Sequence, residues 1–418
     1  MNIPKFAILL LAICCLFSSC SSVNTYPTDN TYHFETDAQI PLYSCAMDRS
    51  FAESEDGYYF VLTIKGNHFL FFADKETMEV LPLCSKPNCL HYEEPDDAKR
   101  QLCNAHYIGI LYPTSLYYNN GKLYVPIGNG PEQDRMYEFS LDGAKRTQLF
   151  PLSGTGTGTA LLFHRGYCYE AVTEYDEEMH TVMRIVRHSL DAPRKEPECI
   201  FEKEAEAAAG EEKGTIILGD IKAYGNRLYF TTDENGKTGF YFIDLTDPDF
   251  AAKPIFDQVE ESTDARFQVF PSSNGLLAAL NLLDEPQPEG MDGSTYLANL
   301  PSVLYRSDLQ GNDVKKWKET LYSPFTWDDR YVYKWPWRPC KQVDPPGNKI
   351  SIYDLDGNLL VEHDADTDVP DIEDIYVSMG EHVFLFGESR NKVYYFAKSE
   401  IETGEIHPKL LIDCSQYE

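Results

Sequence analysis

The chain has 418 residues, 67 of them acidic and 36 basic, for a net charge of −31. A surface this anionic repels nucleic acid and anionic headgroups, which argues against a polyphosphate partner and suits solubility outside the cell. Its 28 Tyr and 23 Phe suit strands packed between layers of sheet, and the length allows one large closed domain.

Residues 1–19 read as an export signal and are set aside from the fold. Lys5 gives a short, positively charged start, residues 6–17 form an apolar run too short to span a bilayer, and Ser18 and Ser19 lead into Cys20. This ending resembles the lipobox of bacterial lipoproteins, in which the cysteine is acylated and becomes the mature N-terminus. Phe17 stands where that pattern usually has Leu or Val. The resemblance implies a lipid on Cys20, a place on the outer face of the cell membrane, and membrane contact through that anchor alone. Residues 20–36 then read as a polar tether and 37–418 as a single domain.

From there one phrase recurs: a Gly or Asp turn, a strand, a loop, a second strand and another Asp- or Gly-rich turn. Asn120-Gly121-Lys122-Leu123-Tyr124 leads to Ser140-Leu141-Asp142-Gly143, and Gly225-Asn226-Arg227-Leu228-Tyr229 leads to Asp244-Leu245. Asp, Asn and Gly tolerate the positive φ that a tight hairpin needs, so their recurrence has a mechanical cause. A repeat of about fifty residues built from short strands is the signature of a β-propeller. Markers for successive second strands fall at Tyr59, Leu123, Cys168, Leu228, Leu277, Val332 and Val383. The expected fold is all-β, with seven four-stranded blades. Residues 36–54 fit no blade, which leaves six or eight as alternatives, and 40–43 reads as an extra strand helping to close the ring. Helix is expected only at 205–209, where Gly210 ends it.

Setting aside Cys14, Cys15 and Cys20 leaves eight cysteines: Cys45, Cys84, Cys89, Cys103, Cys168, Cys199, Cys340 and Cys414. An even number in an exported chain permits disulfides. Cys84, Cys89 and Cys103 cluster with His91 and His106, and a disulfide is the favoured reading of that cluster. A Cys89–Cys103 bridge would close a loop of about fifteen residues and stabilise by about 3 kcal/mol. The alternative is zinc, because three thiolates and an imidazole make a closed tetrahedral site. Against it, the spacing matches no compact zinc module. Free thiols are the third option. Cys45 and Cys414 flank the domain and suggest a ring-closing disulfide. Cys168 and Cys199 fall on second and fourth strands of one blade, so burial as small hydrophobes suits them.

The longest loops, 85–106, 284–302 and 334–348, belong to connections that share one face, and that face is the expected binding surface. Within the last, Trp335, Trp337 and Arg338 set two indoles beside a guanidinium, a combination that stacks on sugar rings or caps peptides and clamps a carboxylate. The competing reading buries one or both Trp as a private core under the loop. Residues 364–368 carry the alternating acids of a calcium loop, but Val369 and Ile375 stand where Gly and Glu are required. Gly154, Gly156 and Gly158 lack a nearby lysine to complete a phosphate cradle. His164, His180 and His188 share one blade, and no nucleophile elbow, zinc-protease helix or dinucleotide fingerprint is present.

The segment Leu83-Cys84-Ser85-Lys86-Pro87-Asn88-Cys89-Leu90-His91, followed by Cys103-Asn104-Ala105 and set among the NGKLY and SLDG phrases, resembles propeller lipoproteins of Gram-positive anaerobes related to TolB-type propellers. The resemblance covers most of the mature chain and implies an exported, surface-anchored propeller. It brings no substrate, reaction or catalytic residue. The reading is therefore a monomeric binding protein for an extracellular glycan or peptide, with no cofactor expected and zinc or calcium as minor alternatives. Two other classes compete: a polysaccharide hydrolase or lyase with its site in the funnel, and a scaffold that docks a surface protein.

Overall fold

The computed structural model describes residues 26–39, 51–107, 116–128, 134–153, 160–175, 181–205, 214–235, 237–256, 266–281, 301–322, 325–335, 349–369, 372–387 and 391–417. They form seven antiparallel meanders of four strands, within residues 51–82, 117–151, 160–204, 216–254, 266–322, 325–364 and 372–413, here blades one to seven. Each blade takes its strands in chain order. All seven sequence markers fall on second strands. The turns follow the local chemistry: Asn120 and Gly121 adopt φ of 49° and 72°, the two positive values of a type I′ hairpin.

Short helical turns occupy connections at His91–Glu93, Asp97–Arg100, Ala365–Asp368, Lys398–Thr403 and Ser415–Tyr417. The sequence pattern pointed instead to 205–209, of which Ala205 is not helical and the rest lies outside the described residues. Residues 40–43 also lie outside them.

Blades one and seven are each complete from their own strands, so among the described residues no strand is shared across the ring's seam. Aromatic packing holds it. Phe51 stacks on Tyr376 at 5.8 Å, and Tyr58 meets Phe384 edge-on at 4.7 Å. The Tyr58 hydroxyl lies 2.9 Å from His382 Nδ1, and Glu53 accepts the Met379 N–H at 2.6 Å while pairing with Lys75. Aromatic rings bury large apolar area, and each such pair adds about 0.5–1.5 kcal/mol beyond that area.

In a four-strand meander the turns joining strands one and two share an end of the blade with those joining three and four. At that end residues 26–39 run as a strap over the turns of blades one to four. Arg165 is the centre of this arrangement. Its Nε and Nη2 donate to the two Asp37 carboxylate oxygens at 2.8 and 3.1 Å, and its remaining N–H groups reach the carbonyls of Pro27, Asp29 and Thr31 and the Asn226 amide oxygen. Both partners are buried, Asp37 fully and Arg165 to within 6%. Asn119 and Asn120 tie down Thr36 and Glu35, and Gln39 bridges to the Glu53 backbone. Gly166 lies so close under the Tyr26 ring that a Cβ would come within 2.3 Å of it. Residues 26–36 are thus part of the domain, because their carbonyls satisfy a buried guanidinium; polarity alone had placed them in the tether.

His164 sits beneath the strap, fully buried. Its Nδ1 accepts the Ala38 N–H at 3.0 Å, so its Nε2 carries the proton to the Gly225 carbonyl at 2.8 Å. Burial pushes its pKa down to about 4, against the pull of the Asp37 carboxylate 4.0 Å away.

Two outcomes are expected. Arg165→Ala leaves a buried, unpaired Asp37 and destabilises by about 3–5 kcal/mol, read as a lower denaturant midpoint. As pH falls from about 6.5 to 4 the unfolded chain takes up a proton that folded His164 refuses, so stability drops across that window by about 3 kcal/mol at most. Urea midpoints against pH check this, and His164→Asn flattens that part of the profile.

Candidate functional site

Among the described residues, chemistry gathers at a cysteine cluster on the outer edge of blade one and at a cavity beside the strap. The cluster lies in the excursion between blades one and two. The chain leaves the fourth strand of blade one at Pro82 and returns as His106–Tyr107, which pairs with His68 and Phe69 on the same edge. Both ends are therefore pinned to one strand. Pro87 and Asn88, the latter at φ 60°, reverse the chain so that the Cys89 N–H reaches the Lys86 carbonyl. Asp96 caps the helical turn Asp97–Arg100 by accepting from the Ala98 and Lys99 N–H groups, and Cys103 follows directly.

These turns bring the sulfurs of Cys84, Cys89 and Cys103 and one ring nitrogen of His91 to within 4.8 Å of one another. His91 Nδ1 lies 3.4 Å from Cys103 Sγ. Ligands at ordinary zinc bond lengths on a tetrahedron would stand about 3.5–3.8 Å apart. Burial raises the cost of ionising Cys84, yet the backbone N–H groups of Lys86 and Asn104 hydrogen-bond its sulfur, and the thiols of Cys103 and Cys89 add to them, holding it below the usual thiol range. Burial and the neighbouring Cys84 push Cys103 up to about 12. Burial holds the His91 imidazole below its ordinary value, which favours the neutral, ligating form.

Several expectations change here. Cys84, Cys89 and Cys103 are free thiols, and no pair among the described cysteines is bonded. They face a common point shared with an imidazole, where a disulfide would use two sulfurs and leave the third and the ring aside. His106 does not join them; its Nε2 faces Asn67 Oδ1 at 3.2 Å, and burial pushes it down to about 4. Cys414 is a buried free thiol, and Cys45 lies outside the described residues. Cys168 is buried as expected, but Cys199 is exposed, because it sits on a fourth, outermost strand.

The aromatic platform also changes. Trp335 is 1% exposed and packs among Tyr333, Ile350 and Val369, core residues near the junction of blades six and seven. Its ring is unavailable for stacking on a ligand because it fills that core. Trp337 and Arg338 lie outside the described residues. Asp364 ends a strand and 365–368 make a helical turn, so the alternating acids do not form a cation loop.

The cavity was not legible in the sequence. Among the described residues the strap covers the turns of blades one to four and does not extend over those of five, six and seven. There a cavity of about 100 Å³ opens, lined by Tyr32 of the strap, Tyr224, Trp327, Met379 and the turn residues Ser272, Ser273, Asp328 and Asp329. Tyr32 stacks on Tyr224 at 6.1 Å, and its hydroxyl is buried with no hydrogen-bond partner among the described residues. Asp328 is buried and committed: it pairs with Lys398 at 2.7 Å and accepts from the Arg330 and Tyr331 N–H groups and the Tyr333 hydroxyl. Asp329 stands exposed at the rim; burial first, then the Asp37 and Asp329 carboxylates, raise the pKa of Tyr224.

No family model matches the chain, and no curated protein matches it. Solved structures do. The periplasmic gluconolactonase PpgL of Pseudomonas aeruginosa aligns with a TM-score of 0.50 at 12% identity, over 85% of this chain and 95% of that one. Puromycin hydrolase aligns at 0.50 and 12%, over 93% of this chain and 57% of that one. TolB from Acinetobacter baumannii is also similar, at 0.38 and 14%, over 86% and 78%. Identities this low carry the architecture and nothing about activity. In fold, the chain is a seven-bladed β-propeller.

Proposed function

We propose that this chain is an exported, lipid-anchored binding propeller that takes one side chain of an extended, cationic extracellular peptide into the cavity beside the strap. The observation that carries this reading is the cavity itself: aromatic walls, a buried hydroxyl without a partner among the described residues, and an exposed carboxylate at the rim. An unpaired buried hydroxyl costs about 1–3 kcal/mol, a cost that a donor or acceptor on a ligand removes. A cavity of about 100 Å³ suits a single side chain rather than a polymer groove. Asp329 favours a positive tip on that side chain, and the net charge of −31 steers such a ligand toward the protein.

Binding is favoured over catalysis because acids near the strapped face are already committed. Asp37 pairs with Arg165, Glu53 with Lys75 and Asp328 with Lys398. Neither a free carboxylate pair nor a His with an adjacent nucleophile stands at the cavity among the described residues. The size of the cavity favours a peptide side chain over a glycan, and Trp335, the loop indole among the described residues, is core and offers no sugar platform.

A lipid on Cys20 would set where this happens. From Cys20 to Tyr26 the chain reaches at most about 20 Å. The strapped face would therefore stay close to the membrane surface, and the ligand would be a membrane-proximal peptide.

The test is a thermal-shift screen of the full chain with short peptides bearing Lys or Arg, acidic and neutral counterparts, and oligosaccharides. Cationic peptides are expected to raise the midpoint by mass action, worth about 2.7 kcal/mol at a hundred times the dissociation constant. Asp329→Asn should weaken that binding about tenfold, or about 1.4 kcal/mol, with the ligand-free midpoint unchanged. Shifts with oligosaccharides alone, or equal shifts with acidic and basic peptides, would overturn the reading.

A further inference from the structure

We infer that Cys84, Cys89, His91 and Cys103 form a structural Zn²⁺ site that clasps the seam of the ring, a role independent of the ligand cavity. The donor set is complete. Three sulfurs and one imidazole nitrogen converge within 4.8 Å, which fills a tetrahedron and leaves no position for water or substrate. Soft thiolates with an imidazole select zinc over calcium or magnesium, which take oxygen ligands. The shell around the sulfurs fits a metal: the N–H groups of Lys86 and Asn104 point at Cys84, and those of Ala105 and His106 at Cys103. Such donors spread the negative charge of a metal-bound thiolate and fix its direction.

The surroundings of the cluster say what the metal would do. Tyr92, next to the ligand His91, meets Tyr417 edge-on at 4.8 Å and packs against Phe69 and Phe71 of blade one. Cys84, Cys89 and Tyr92 belong to the same apolar cluster as Leu411, Ile412 and Cys414 at the end of blade seven. On the other side, the Asn104 amide donates to the carbonyls of Gly143 and Ala144 in the last turn of blade two, at 2.7 and 3.1 Å. Gly143 approaches so closely that a Cβ there would lie 2.4 Å from the Leu83 carbonyl oxygen. One short excursion therefore touches the last blade, the first and the second. Since no strand crosses the seam among the described residues, a metal that holds this excursion rigid would stiffen the junction where the ring's two ends meet. Binding would displace the protons of any thiols still protonated, and its free energy would add to the stability of the folded ring.

The experiment uses the full chain purified under reducing conditions without chelator. Elemental analysis is expected to find one zinc per chain. Replacing it with Co²⁺ should produce the thiolate charge-transfer and tetrahedral visible bands of a three-sulfur, one-nitrogen site. Alkylation should spare Cys84, Cys89 and Cys103 until a chelator is added. His91→Ala should lose most of the metal, while His106→Ala, one turn away and outside the set, should keep it. Cobalt spectra on the unmodified chain keep the test valid if a cysteine variant fails to fold. Absence of bound metal after incubation with Zn²⁺, or recovery of a Cys89–Cys103 disulfide peptide as the main form, would overturn the site. Hydrogen exchange tests the clasp separately. Chelation should speed exchange in Lys409–Asp413 and in blade one several-fold and leave blade four unchanged. Stoichiometric zinc whose removal alters neither segment would overturn the seam role.

Discussion

The architecture of this propeller turns on a buried ion pair between Arg165, in the first turn of blade three, and Asp37, in a strap that precedes the first blade. A ring of seven meanders leaves turn ends with backbone groups and charged side chains facing the axis, and these need partners once water is excluded. Arg165 supplies donors in a fixed planar fork, and the strap supplies a carboxylate and three carbonyls to meet them. The residue holds φ of 46° at a turn position that favours Asn or Gly. A local preference gives way there to a long-range interaction, as happens where a structure over-determines a strained position.

The path of the strap decides which part of that end stays open. Its carbonyls and side chains are spent on the turns of blades one to four, and Tyr32 then forms one wall of the space over the remaining three. Of the long loops that the sequence pattern favours, 85–106 is pinned to the outer edge of blade one, and Trp335, the one loop tryptophan among the described residues, has turned inward to fill the core near blades six and seven.

The seam poses a second constraint. Many closed sheets avoid an open edge by sharing strands, but here blades one and seven each keep their own four. Stacked aromatics join their inner strands, and the excursion after blade one reaches back to the C-terminal residues on the outside. Inner packing and outer clasp act at different radii of the same junction, so neither substitutes for the other.

Blade number, strand order and the position of every second strand were legible in the sequence, because each depends on alternation and turn chemistry within about ten residues. Cys84, Cys89, Cys103 and His91 were legible as a group for the same reason: they lie within twenty residues, and turns such as Pro87-Asn88 bring them together. Whether those sulfurs bond to one another or face a shared point was decided by the tertiary anchoring of both ends of the excursion to one strand. Trp335 reads locally as a platform and residues 20–36 as a tether, since exposure and burial at such positions depend on partners far along the chain. The pairs that matter most, Asp37 with Arg165 and Tyr92 with Tyr417, are separated by more than a hundred residues. Local physics determined the blades; only closure of the ring, which brings distant turns together, determined the strap, the cavity and the clasp.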